Sequence, residues 1–211
     1  SKLKKPKQYI MLSGKPVILY SLTCFQKCKY VDEILISAES RYFEYLHSLA
    51  AKNKITKLSG LVEGGKTRFK SVRNAFLEIK GNTGDLVLIH DAARPNISVE
   101  IVNNIIKTFG KSQNGAIYAV KVSETVKRGT NGFVKETLNR ENLWLVQTPQ
   151  VFSYEVLDRA YKKLKSKTDF TDESALAESA GYKVKLVEGS PDNIKITSAS
   201  DITLLKKLMS K

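Results

Sequence analysis

The chain is 211 residues long, 42% hydrophobic and formally +14 at neutral pH, with 35 Lys plus Arg against 21 Asp plus Glu. Length and composition describe one globular domain and exclude a chain too polar to fold, while apolar runs such as 86–89 (LVLI) stay far short of the ~20 residues a membrane span needs. Two cysteines cannot build a disulfide framework, and the surplus of cations fits an anionic partner: nucleic acid, acidic lipid or a phosphorylated small molecule.

The chain opens on Ser1 and carries seven lysines and no acid in its first 31 residues, among them Lys2, Lys4, Lys5 and Lys7. No apolar core follows, so this is not a signal peptide. With no strand pattern ahead of the first helix, the sequence is expected to begin inside the natural protein. Residues 16–28 form that helix, with Pro16 in its first turn and Val17, Leu19, Tyr20 and Phe25 spaced for one face. Cys24 and Cys28 lie four apart in it with no histidine nearby and read as packing residues. A strand at 32–37, an amphipathic helix at 40–51, a weak strand at 57–62 and a helix at 67–79 entered through Gly64-Gly65 follow in turn.

Residues 85–89 are the clearest buried strand, ended by His90-Asp91. Ser98 caps a helix with Ile101, Val102, Ile105, Ile106 and Phe109 on its apolar face, and Gly110 ends it. A strand returns at 115–122. Repeated β–α alternation implies an α/β fold with a doubly wound, mostly parallel sheet, in which ligands sit beyond the carboxyl ends of the strands. Segment 124–140 breaks the rhythm: polar extended runs at 125–128 and 133–138 flank Gly-Thr-Asn-Gly, a hairpin signal. With few apolar residues of its own, this hairpin is expected to project as an arm and seek a partner surface. Strands at 145–152, 183–187 and 194–196 and helices at 154–164, 173–179 and 199–209 complete a single domain over 1–211.

Neither His47, on a surface helix, nor His90, at a strand end, is matched by a nucleophile elbow, and no HExxH or zinc pair is present. What remains is charge at strand ends. Asp91 is placed to hold a divalent metal that bridges phosphate oxygens, or simply to cap its turn; Asp192 stands on the same terms. Lys195 lies inside a short apolar strand (NIKIT), where an inward ammonium would seek phosphate and an outward one only solvent. Gly64-Gly65 before a helix can present N–H groups to an anion, as any tight turn can. These residues point to phosphoryl or nucleotidyl transfer, which needs positioning and charge neutralisation and no covalent intermediate.

Seven strings occur in order: PKQY (6–9), GGKTRFKSV (64–72), HDAARP (90–95), TVKR (125–128), QTPQVF (147–152), TDESA (171–175) and VEGSPDNIKIT (187–197). With them the chain closely resembles the 2-C-methyl-D-erythritol 4-phosphate cytidylyltransferases of non-mevalonate isoprenoid synthesis, over nearly its whole length. The resemblance implies a Rossmann-like nucleotidyltransferase sheet and transfer of CMP from CTP to methylerythritol phosphate, with Mg²⁺. It also implies a homodimer made through the arm, and a location in bacterial cytoplasm or plastid stroma. By motif, Lys7 and Lys195 stabilise charge at the α-phosphorus, and Gly65, Ser71 and Ala92 belong to the CTP pocket. Asp91 and Asp192 approach metal and substrate hydroxyls; Thr125, Arg140 and Thr148 are substrate contacts, with Arg140 binding the sugar phosphate. The family opens on a strand and a glycine-rich loop (roughly AAGxGxR) that have no counterpart in this sequence.

The related ribitol-5-phosphate cytidylyltransferases tend to carry HDSVRP and to lack the Asp of DNIK, so Ala92-Ala93 and Asp192 favour the erythritol substrate. A nucleic-acid-binding module needs Lys, Arg and aromatics gathered on one face, whereas here the lysines are scattered. No nucleic acid and no membrane is expected as a partner.

Overall fold

The computed structural model describes residues 6–110, 114–164 and 169–210. A 3-10 turn, Lys7–Tyr9, leads into a small antiparallel hairpin of β1 (Met11–Leu12) and β2 (Lys15–Pro16) that the periodicity does not reveal. Its turn places Ser13 and Gly14 at φ 46° and 81°. Helix α1 (Val17–Lys27) buries Ile18, Leu22 and Phe25 against β3 (Ile34–Ala38), and its Cys24 and Cys28 are buried free thiols, as packing residues should be. Burial raises the Cys24 thiol to about 12, so it is inert at neutral pH.

After a 3-10 turn at Ser40–Tyr42, α2 (Phe43–Lys52) returns the chain to β4 (Leu58–Glu63), which pairs with β3 in parallel. Helix α3 (Arg68–Leu77) then leads to β5 (Leu86–Ile89), and α4 (Val99–Phe109) to β6 (Gly115–Lys121). The side chains of Thr67 and Ser98 cap α3 and α4 by accepting N–H groups of the first turn. Strands β7 (Val126–Thr130) and β8 (Phe133–Leu138) form the separate hairpin; Asn131 and Gly132 both take positive φ, as a two-residue mirror-image turn demands. The chain closes with β9 (Trp144–Ser153), α5 (Tyr154–Lys162), α6 (Glu173–Ser179), β10 (Val184–Glu188) and α7 (Ala199–Leu208).

The main sheet has four strands in the order β10-β6-β9-β5. It is a mixed sheet, in which β10, β6 and β5 keep the expected common direction and β9 alone runs against them. Strand β10 runs parallel to β6, but β9 is antiparallel to both β6 and β5. The physical reason is the connection: β6 is joined to β9 by a hairpin rather than a helix, so the chain reverses direction beside itself. Helices nevertheless cover both faces. Ile117 and Phe152 face α5 and α6, while their neighbours Ala116, Tyr118 and Val151 face α4. Segment 194–196 is also not a strand. It is an extended loop pinned where the Ile196 N–H donates to the Ala93 carbonyl at 2.9 Å.

Helix α7 starts with a reciprocal cap. The Thr197 N–H and hydroxyl and the Ser198 N–H and hydroxyl all donate to Oδ2 of Asp201 at 2.7–2.9 Å. These bonds, led by the Thr197 N–H, hold the Asp201 carboxyl down at about 2. A group whose folded pKa is depressed stabilises the fold above its unfolded value and loses that contribution as pH falls through the folded one. Asp201→Asn is therefore expected to cost about 1 kcal/mol near pH 7, and the gap from wild type should close between pH 4 and 2. Urea melts across that range check it; a gap that does not change with pH would contradict the cap.

Candidate active site

Strand β5 ends at Ile89, and the next residues fold into a tight turn in which the Arg94 N–H donates to the Asp91 carbonyl at 2.9 Å. Thr148, buried on β9, receives the Asp91 N–H at 3.0 Å. Nε2 of His90 lies 3.1 Å from the Arg94 carbonyl, and its Nδ1 lies 3.2 Å from the Thr148 hydroxyl. A carbonyl only accepts, so Nε2 carries the proton and Nδ1 accepts a hydrogen bond from the Thr148 hydroxyl. Burial pushes the His90 imidazole down to about 4, against the pull of Asp91. With both ring nitrogens used, His90 is a neutral structural residue, in keeping with the lack of a nucleophile beside it in sequence.

The carboxylate of Asp91 is the focus of the site. Nε of Arg68 donates to its Oδ1 at 2.9 Å, Nζ of Lys195 reaches its Oδ2 at 2.7 Å, and Nε of Arg94 stands 3.9 Å from the same Oδ2. Burial alone would raise the Asp91 carboxyl; Arg68 and then Lys195 overcome it and bring it down to about 2. Arg68 also donates from Nη1 to Oε2 of Glu173 at 2.8 Å, and the Glu173 side chain has no solvent exposure at all. Burial works against the charge on Arg68, but Glu173 and Asp91 raise its pKa on balance. Three cations thus face two carboxylates, leaving a local positive surplus that suits phosphate.

The 187–197 loop carries Lys195 and is held from below. Buried Arg94 donates from Nη1 to the Asn193 carbonyl at 2.6 Å, and Nδ2 of Asn193 donates to the Thr148 carbonyl at 2.9 Å. Gln147 donates to the Ser190 carbonyl at 2.8 Å. Asp192 is exposed on this loop, and Asn96 donates to its carbonyl at 2.9 Å.

At the start of α3 the Gly65 N–H donates to Oγ of Ser71 at 3.0 Å, and that hydroxyl donates on to the Thr67 carbonyl at 2.9 Å. A Cβ on Gly65 would come within 2.4 Å of the Lys70 Cβ, so only glycine lets the loop lie this close to the helix. Ala92 is half-buried, packed on the core that contains β3.

The structure therefore gathers Asp91, Lys195 and Thr148 directly, while Gly65 and Ser71 bond each other at the start of α3, the helix that Arg68 opens. It leaves others apart. Lys7 sits in the first 3-10 turn, whose Tyr9 packs on Tyr42 and Tyr45. Thr125 and Arg140 are exposed at the base of the hairpin, where Nη1 of Arg140 donates to the Ser123 carbonyl. Among the described residues no hydrogen bond or ion pair joins either of them to Asp91.

Sequence reasoning overlooked Arg68, Arg94, Glu173 and Asn193, although each lies inside a quoted motif. A signal existed for Glu173: it shares one face of α6 with Leu176 and Ala177 at helical spacing, a carboxylate on an apolar stripe.

The model of the 2-C-methyl-D-erythritol 4-phosphate cytidylyltransferase family matches residues 1–211. The enzyme of that name from Clostridium acetobutylicum is 37% identical over 213 residues, spanning 98% of this chain and 92% of that one. Its counterpart from Alkaliphilus metalliredigens is 39% identical over 204 residues, spanning 94% and 83%. Among solved structures, the 4-diphosphocytidyl-2C-methyl-D-erythritol synthase of Anaerococcus prevotii superposes with a TM-score of 0.85 at 29% identity, covering 98% of this chain and 91% of that one. The Francisella tularensis cytidylyltransferase gives 0.82 at 34% identity, covering 96% and 93%. With the whole length matched and a charged cluster set at its strand ends, the chain belongs to the 2-C-methyl-D-erythritol 4-phosphate cytidylyltransferase family.

Proposed function

We propose that this protein transfers a cytidylyl group from CTP to 2-C-methyl-D-erythritol 4-phosphate, giving 4-diphosphocytidyl-2-C-methyl-D-erythritol and pyrophosphate. The observation that carries this function, beside family membership, is the buried Asp91 carboxylate held between Arg68 and Lys195 at the end of β5. An oxygen of the sugar phosphate attacks the α-phosphorus, and the bond from that phosphorus to the pyrophosphate oxygen breaks. Charge builds on the phosphoryl oxygens, and preset cations are the groups that stabilise it.

Lys195 faces solvent enough, at 38% side-chain exposure, to exchange its bond with Asp91 for one with phosphate. Lys7 supplies a second ammonium. Gly65, Ser71 and Ala92 line the nucleotide side; Thr148 fixes the backbone of Asp91; Thr125 and Arg140 take the sugar phosphate. The family match favours methylerythritol phosphate over ribitol 5-phosphate as acceptor.

Among the described residues no three metal-binding side chains converge, and both Asp91 oxygens already meet cations. Such a donor set does not make an all-protein cage. It fits Mg²⁺ taking most of its ligands from phosphate oxygens and water, with Asp91 and Asp192 as the residues that would hold it. When bound, the ion neutralises charge on the triphosphate.

The β7–β8 hairpin exposes Phe133 and Val134 and packs on no core cluster of its own, which favours a homodimer made through this arm. Among the described residues no helix is long and apolar enough to cross a membrane.

The protein should release pyrophosphate from CTP only when methylerythritol phosphate and Mg²⁺ are both present. Turnover with ribitol 5-phosphate that equals or exceeds turnover with the erythritol substrate would overturn the assignment.

A further inference from the structure

Two motifs hold charged residues to which the reaction gives no part: the Arg of GGKTRFKSV and the Glu of TDESA. In the fold they meet. Arg68 opens α3 and Glu173 opens α6, 105 residues later in sequence, and their side chains bond at 2.8 Å. The guanidinium spends its edge on two carboxylates at once, Nη1 on Glu173 and Nε on Asp91. A second bond joins the segments leading into these helices, from the Thr67 hydroxyl to Asp169 at 3.1 Å. Asp172 caps α6 through the Ala175 N–H and receives Gln150 of β9 at 2.9 Å, so Glu173 is mounted on the sheet.

This pair is an odd device for stability alone. Nη2 of Arg68 and Oε1 of Glu173 are buried with no partner among the described residues, and apolar side chains in place of a buried ion pair are often as stable or more so. Polar groups kept at such a cost mark a working site.

We propose that Glu173 is a positioning residue for the transfer reaction, acting through Arg68 on Asp91. It holds the guanidinium so that Arg68 stays with Asp91 when phosphate arrives, while Lys195, tied at one end only and the more exposed of the two, is the cation that crosses to the substrate. Without the anion behind it, Arg68 is free to follow the phosphate. The triphosphate is then bound as well or better, but Asp91 loses its fixed place and chemistry slows. The role rests on the function proposed above.

The test compares wild type with Glu173→Gln, Arg68→Lys and the double variant, with CTP, methylerythritol phosphate and Mg²⁺. Glu173→Gln should lower kcat by about 10- to 100-fold, the range for residues that orient a first contact. Its KM for CTP should stay within about twofold of wild type or fall. The double variant should be no slower than Arg68→Lys, because both lesions break one linkage. Independently of turnover, the slowly exchanging Arg68 Nε–H signal in ¹⁵N NMR, assigned by its loss in Arg68→Lys, should disappear in Glu173→Gln. An unchanged kcat, a rise confined to KM, losses that multiply in the double variant, or a retained Nε–H signal would each overturn the proposal. If Glu173→Gln does not fold at the assay temperature, Glu173→Asp takes its place; it keeps the charge, draws it back by one methylene, and is expected to show the same changes in kcat, KM and the Nε–H signal. A wild-type protein that fails to transfer cytidylyl refutes the function, and the NMR comparison still decides whether Glu173 positions Arg68.

Discussion

Lys195→Ala should lower kcat by about 100-fold or more, the loss seen when one preorganised donor to a developing negative charge is removed. The fold should hardly notice. The ion pair with Asp91 is more than a third exposed on the lysine side, so solvent screens it and its worth to stability is at most about 1 kcal/mol. Asp91 keeps Arg68 as a partner at 2.9 Å, so the substitution leaves no stranded charge. A large fall in rate beside an almost unchanged melt is therefore the expected pair of results. Lys7→Ala should act in the same direction and size, since that ammonium is proposed to meet the same triphosphate. The contrary outcome is a rise in KM for CTP with kcat intact. It would mean that the lysines bind ground state and transition state equally and do not serve the chemical step.

Apart from the short β1–β2 hairpin, the alternation of elements is legible because the helices and strands before residue 122 carry their own period and punctuation. Ser98 before a run of isoleucines and valines, and Gly110 after it, bound α4 to the residue. Strand β5 has no polar member and so reads as buried, yet it lies at the end of the strand order with Leu86 40% exposed and only Ile89 buried, because burial depends on place in the sheet and not on composition. Direction is not legible. Nothing in QTPQVF distinguishes a strand that runs with its neighbours from one that runs against them; that follows from how β6 connects to β9, and the connecting hairpin looks in sequence like an appendage. Segment 194–196 looks like a strand because Ile194, Lys195 and Ile196 alternate. The alternation instead serves a loop that buries Ile196 on one side and offers Lys195 to Asp91 on the other.

At the site, single residues at strand ends are easier to find than their supports. Asp91 and Lys195 stand out locally, as a charge after a buried strand and a charge between apolar residues. Arg68 and Glu173 look ordinary in sequence, since an arginine or glutamate in the first turn of a helix is common on any surface. Their meaning arises from 105 residues of separation collapsing to 2.8 Å, a long-range fact that periodicity does not encode.

Mixing two inactive variants, Lys7→Ala and Arg140→Ala, should restore about a quarter of the wild-type sites once subunits have exchanged. The expectation comes from the hairpin. Among the described residues strands β7 and β8 pair only with each other, and an isolated two-stranded ribbon is marginal in water. Its own bonds are surface ones, such as Arg128 to Glu136 at 2.7 Å, which add little. Phe133 and Val134 stand 79% and 66% exposed beside the turn, an apolar edge suited to a partner. At its base lie Thr125 and Arg140, the residues proposed to take the sugar phosphate, with no bond to the Asp91 cluster of their own chain among the described residues. A two-fold dimer resolves both facts if each arm completes the partner's site, with Lys7, Asp91 and Lys195 from one chain and Thr125 and Arg140 from the other. In a mixed dimer one site then collects both lesions and the other collects neither. Random pairing makes about half the dimers mixed, each with one intact site of two, hence the quarter. Subunit exchange is followed independently by a mass tag on one variant. A mixture that exchanges fully yet stays as inactive as its parents would show that each arm serves its own chain.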